Sequence, residues 1–171
     1  DQGHGQFDVP RIWAPEAFKR EIGALVKGYF PIHEALKKDD LARATAASGK
    51  FFTQLASIKH HDPVWDTFRT IMGTFAGTLR VAKSIGEARD AFFSLARAMI
   101  LTVKSYGVSV EGSVYLHYCP MARKNRGGWW LAPKKEIENP FFGAGMFSCG
   151  ENLGLLHGPT PQKAKGGADA K

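Results

Sequence analysis

The chain has 171 residues, 44% hydrophobic and 23% charged, with a formal net charge of +7 at pH 7. This is the composition of one globular domain with a sizeable core, and it excludes a disordered chain. No apolar run approaches the roughly 20 residues of a membrane span, and the lysines and arginines are scattered along helical faces, so neither membrane insertion nor a nucleic-acid partner is expected.

Residues 1–14 contain Gly3, Gly5 and Pro10, show no periodicity and read as a flexible lead. The chain starts at Asp1 with no basic-then-apolar leader, which points to a processed terminus and an exported mature protein. From Pro15 the spacing turns helical: Phe18, Ile22, Leu25, Tyr29, Ile32 and Leu36 share one face. Pro31 should kink this helix, because it lacks the N–H that would bond the Lys27 carbonyl. "KKDD" closes it. A second stripe runs through Leu41, Ala44, Ser48, Phe51, Leu55 and Ile58. Asp62 and Pro63 then form an N-cap and first-turn pair before a third stripe, Trp65, Phe68, Met72, Phe75, Leu79 and Ala82. Ser84 and Glu87 form a capping box ahead of the fourth, Ile85, Ala88, Phe92, Leu95, Met99, Thr102 and Tyr106. Four such helices with short connections predict a mainly α fold, an up-down antiparallel four-helix bundle.

After Gly107 the period changes. "SVYLHY" alternates as a strand, "RKNRGG" is a turn, and "WWLA" reads as the return strand of a hairpin. "ENPFFGAGMFSCGE" is a Pro/Gly-punctuated loop with a helical turn near Met146. Residues 113–150 should pack on the bundle, since Trp129, Trp130, Phe141, Phe142 and Phe147 are too apolar to leave in water. The domain thus spans 15–156, and residues 157–171 read as a disordered tail.

The chemistry concentrates in "HYCPMARKN" and "MFSCGE". On a strand His117, Cys119 and Met121 would project to one face, with Pro120 at a strand end or sheet edge. Met146 and Cys149 are one helical turn apart. Folding the loop back would gather two thiols, two thioethers and an imidazole. Soft sulfur donors select Cu(I) or Ag(I); the spacing matches no zinc finger, and the haem motif C-x-x-C-H is absent. From the residues alone three readings stay open: a Cys119–Cys149 disulfide, a soft-metal site, or two inert buried thiols. His60 and His61 read as exposed polar residues, His33 as a satisfied core-edge histidine, and His4 only as a ligand in a differently trimmed terminus. No nucleophile, phosphate-loop or paired-carboxylate motif is visible, so no enzyme is expected.

Cys119-Pro120-Met121, Trp130-Leu131, Glu136-Ile137, Asn139-Pro140-Phe141-Phe142-Gly143 and Met146 to Gly150 resemble the end of a bacterial heavy-metal-associated family of domains of unknown function. That family occurs alone and at the C-terminus of periplasmic adaptor proteins of copper and silver efflux. "SIGEARDAFFSLARAMI" is similar to its last helix, so the resemblance runs over residues 16–155 and is strongest at the C-terminal end. Phe141-Phe142 stands where Pro-Tyr is common, and the adaptor's barrel and coiled-coil parts are missing. The resemblance implies a periplasmic or exported protein that binds copper, with silver as second candidate, through Cys119, Met121, Met146 and Cys149, with His117 as a further participant. It also implies an efflux or copper-handling partner. The alternative is a disulfide-stapled helical adaptor without metal.

Overall fold

The computed structural model describes residues 7–159, so His4 and the tail beyond 159 lie outside it. Four long helices pack against one another: α1 (Glu16–Lys37), α2 (Leu41–Ala56), α3 (Pro63–Arg80) and α4 (Ile85–Tyr106). The three connections between them are short, so successive helices run antiparallel and pack as sequential neighbours. The helix ends follow from their residues. Asp40, Asp62 and Ser84 each accept an N–H three residues on, from Arg43, Trp65 and Glu87. Glu87 completes its box one residue early, taking the Lys83 N–H at 2.8 Å. Pro31 sits inside an unbroken α1.

Each stripe turns inward. Phe18, Ile22, Leu25, Tyr29, Ile32 and Leu36 are all buried, as are Trp65, Met72, Leu79, Phe92, Leu95 and Met99. α4 is buried beyond its stripe, at Ala91, Ala96, Ala98, Ile100 and Val103, because it is covered on two sides. One cover is the bundle; the other is a small antiparallel sheet, whose strand β2 packs on it.

That sheet contains β1 (Val114–Cys119), β2 (Gly128–Ala132) and β3 (Glu151–His157) in the order β2-β1-β3. The expected hairpin is present, with His117 opposite Trp130 and Cys119 opposite Gly128. β3 was not expected. It makes β1 the central strand rather than an edge, with Pro120 just past its end, where no ladder bond is needed. A 3-10 turn, Gly143–Met146, stands where a helical turn was expected.

Residues 7–14 also correct the sequence reading. Phe7 and Ala14 are buried, Phe7 meets Trp129 edge-on at 5.7 Å, and the Ile12 N–H donates to the Ser105 carbonyl at 2.7 Å. This strap lacks periodicity because it is held by distant residues instead of by its own helix or strand.

The C-terminal segment docks as expected through Trp129, Trp130 and Phe141, all buried, whereas Phe147 is 38% exposed. A polar clamp holds its far end. Arg89 donates to the carbonyls of Leu36 (2.9 Å) and Pro140 (2.8 Å) and to the Asp39 carboxylate (2.6 Å). The other oxygen of Asp39 accepts the Ala144 N–H at 3.1 Å. Arg89 and then that N–H hold the Asp39 carboxyl below its ordinary pKa. Gly143 makes the approach feasible: its φ is +59°, and a Cβ there would meet the Asp39 carboxylate. Removing Arg89 strands the buried Pro140 carbonyl and takes a donor from the Leu36 carbonyl and the Asp39 carboxylate. Arg89→Ala should therefore cost about 2–3 kcal/mol. Hydrogen exchange should speed up in residues 139–149 and leave α2 and α3 unchanged.

Candidate metal centre

Cys119 ends β1 with no exposure, and Cys149 follows the 3-10 turn half-buried. Their Sγ atoms lie 3.2 Å apart. A disulfide needs about 2.05 Å. Two thiolates at about 2.3 Å from one tetrahedral ion would be about 3.8 Å apart. The observed spacing is nearer the second value. The hydrogen bond with Cys119, then burial, pushes the Cys149 thiol above its ordinary pKa. Reactive catalytic cysteines show the opposite shift.

Asn139 places Cys149. It is fully buried, and its Nδ2 donates to the Cys149 carbonyl at 2.8 Å. Its Oδ1 accepts the Phe141 N–H at 2.8 Å, and its own N–H donates to the Phe147 carbonyl at 2.7 Å. One side chain thus closes the 139–149 loop from inside, using the Asx geometry that an Asn-Pro pair favours. Gly150, at φ +139°, then passes so close to the Tyr118 carbonyl that a Cβ would clash. Gly145, by contrast, has open space and needs no special backbone.

The other candidates are spread around this pair. Met121 and Met146 stand 47% and 39% exposed, two residues after Cys119 and three before Cys149. His117 shares the strand face of Cys119 but is fully buried, edge-on to Trp130 at 5.7 Å, with both ring nitrogens unpartnered. Burial, then His33, pushes its pKa down to about 4. Among the described residues no three His, Cys, Asp or Glu side chains gather into a metal-holding set. His33 is the satisfied core-edge histidine, its ring bonded to the Glu138 carbonyl at 2.7 Å. His60 is less exposed than expected: it stacks on Phe18 at 3.9 Å and bonds Asp62 at 2.9 Å. His61 is exposed.

Sequence reasoning singled out the sulfurs and missed Asn139, Arg89 and Asp39 as their supports. The available signal was Asn139 itself, a polar residue among aromatic ones in a segment that has to pack.

A family model described as "Protein of unknown function (DUF3347)" matches residues 25–111, which is 87 of the 171 residues. The match covers most of α1 through α4 and ends before β1, so the cysteines and methionines fall outside it. The match thus supports an uncharacterised family over the helices and does not reach the C-terminal motif on which the heavy-metal resemblance was drawn. No curated protein and no solved structure matches the chain.

Two outcomes follow from the site. Asn139→Ala leaves the Cys149 carbonyl and the Phe141 N–H unpaired, and should cost about 2–4 kcal/mol. Thiol labelling of Cys149 should accelerate in that variant. The second outcome concerns pH. Both buried histidines have folded pKa values below the unfolded 6.5, that of His33 through desolvation first. Native protein then binds fewer protons than unfolded protein, so stability is full above pH 6.5 and declines below it. The slope is at most about 1.4 kcal/mol per pH unit for each histidine. The carboxylates beside His33 have lowered pKa values: against burial, which raises them, Lys37 and then Lys38 hold down Glu34, and Lys134 and then Lys37 hold down Glu138. Denaturant melts between pH 6.5 and 5 should therefore show a shallower slope in His33→Gln.

Proposed function

The chain belongs to this family of unknown function, and on that premise we propose that it is a soft-metal protein that holds Cu(I), with Ag(I) as second cargo, for buffering or transfer in an exported compartment. The observation that carries the proposal is the 3.2 Å approach of the two thiols at the edge of the core. Cys119 and Cys149 are the anchoring ligands, and the flexible exposed thioethers Met121 and Met146 complete the set. His117, buried and neutral on the same strand face, is left out of the proposed set.

The parts of the motif each have a task in this reading. Pro120 fixes φ between two of the donors, which lowers the entropy lost when they converge. Asn139 and the Arg89 clamp hold Cys149 in place before any ion arrives. The full burial of Cys119 keeps water from a bound thiolate. The raised pKa of Cys149 means that the ion has to displace a proton, so affinity falls as pH falls. The chemistry calls for no catalytic group, and none is assigned. Among the described residues no helix is long and apolar enough to cross a membrane.

The same thiol contact favours a second reading, a Cys119–Cys149 disulfide that staples a helical adaptor without metal. The test is a Cu(I) titration of anaerobically reduced protein against a chromophoric chelator. One ion per chain is expected, with a loss of at least 100-fold in Cys119→Ser or Cys149→Ser and about 3- to 10-fold in Met146→Ala. Oxidised protein should bind almost nothing. If reduced wild type fails to compete and purifies with no free thiol, the stapled adaptor is the better account.

A further inference from the structure

Six large apolar side chains are exposed among the described residues, and three of them, Met121, Met146 and Phe147, lie within three residues of a cysteine. The other three, Trp13, Val64 and Val81, stand singly on separate segments, as surface residues often do. Three exposed apolar side chains that flank the two contacting cysteines along the chain are a different case.

The chain beside them is cationic and strained. Directly after Met121 come Arg123, Lys124 and Arg126 in a turn where Arg123, Lys124 and Asn125 have φ of 56°, 57° and 64°. Left-handed backbone costs non-glycine residues roughly 1–2 kcal/mol each. Lys124 and Asn125 are exposed, so their own packing does little to offset it. Arg123 is held, its guanidinium 3.4 Å over the Phe93 ring, and Arg126 is tied to the Arg123 carbonyl at 3.0 Å. None of the three cations forms an ion pair among the described residues. The fold therefore keeps three positive charges without an ion pair directly after the exposed thioether of Met121, in a turn with a conformational cost.

We propose that Met121, Met146 and Phe147, with the cationic turn at Arg123, Lys124 and Arg126, form a docking face for an acidic-surfaced protein that exchanges a soft metal ion with Cys119 and Cys149. The inference rests on the soft-metal reading above and names the partner's chemistry. An apolar centre inside a charged rim is the anatomy of a protein interface, and complementary charge at the rim mainly raises the association rate. A phosphate backbone would leave the apolar centre unused, and a lipid headgroup presents no ion to the thiols. In the exchange Cys119 and Cys149 give up their protons as they take over the ion. The partner's donor thiolates take up two protons as they release it. No electron changes hands.

The probe is Cu(I) carried by an acidic two-cysteine peptide, beside the same peptide with Asn and Gln in place of its acids. Stopped-flow transfer to reduced wild type should be about tenfold faster from the acidic donor at low salt, and the difference should vanish near 0.5 M salt. The double variant Lys124→Glu, Arg126→Glu should lose the preference while keeping its Cu(I) affinity against a small chelator, which also serves as the folding control. Equal rates from the two peptides, or an unchanged preference in the variant, would overturn the docking face and leave the metal reading intact. Failure of wild type to take Cu(I) even from the chelator removes both. Tight binding to anionic phosphatidylglycerol vesicles, lost in the double variant, would reassign the face to a lipid surface.

Discussion

Cys149 reaches Cys119 because Asn139 closes the loop between them. The two cysteines are thirty residues apart, and the segment that carries the second one has little regular structure beyond a single 3-10 turn. Left to itself, such a loop would sample many positions for Cys149, and ordering it has an entropic cost that two thiols in contact do not offset. The buried Asn139 amide supplies what a strand or helix would otherwise supply. It satisfies a carbonyl at one end of the loop and an N–H at the other, and both bonds are sheltered from competing water.

The bundle is what makes Asn139 effective. Its loop rests on α1 and α4 through the Arg89 clamp, through His33 on the Glu138 carbonyl, and through the ion pair of Lys37 with Glu138. Tyr29, deep in the core and with its phenol pKa raised by burial, accepts the Leu131 N–H at 3.1 Å and so anchors β2. These contacts are polar, directional and mostly shielded, so they select one placement of the segment where apolar packing alone would allow sliding. The helices therefore act on the site from outside it. The family match, which stops at residue 111, falls on this platform rather than on the sulfur motif.

The legible part of the molecule was the part held by local rules. Four stripes at helical spacing predicted α1 to α4, and the caps at Asp62 and Ser84 marked their starts, because helix burial repeats within a few residues. β3 escaped because Glu151–His157 never turns a clean apolar face inward and its pairing with β1 is broken by two register shifts. The strap at residues 7–14 escaped for a related reason: Phe7 is buried by Trp129, more than a hundred residues away. At the site, residue type identified the sulfurs but not their distance. Asn139 stood out as a polar residue among aromatic ones, but an Asn-Pro pair reads equally well as an open turn and as a buried bridge.

The central claim is that two cysteines and exposed thioethers form an all-sulfur site without the buried His117 on the same strand face. X-ray absorption at the copper edge of reduced, Cu(I)-loaded protein tests it most directly. The account predicts a single shell of sulfur scatterers at about 2.3 Å and no imidazole pattern at longer range. A nitrogen shell with imidazole multiple scattering, absent in His117→Leu, would show that the ring turns into the site and would contradict the account.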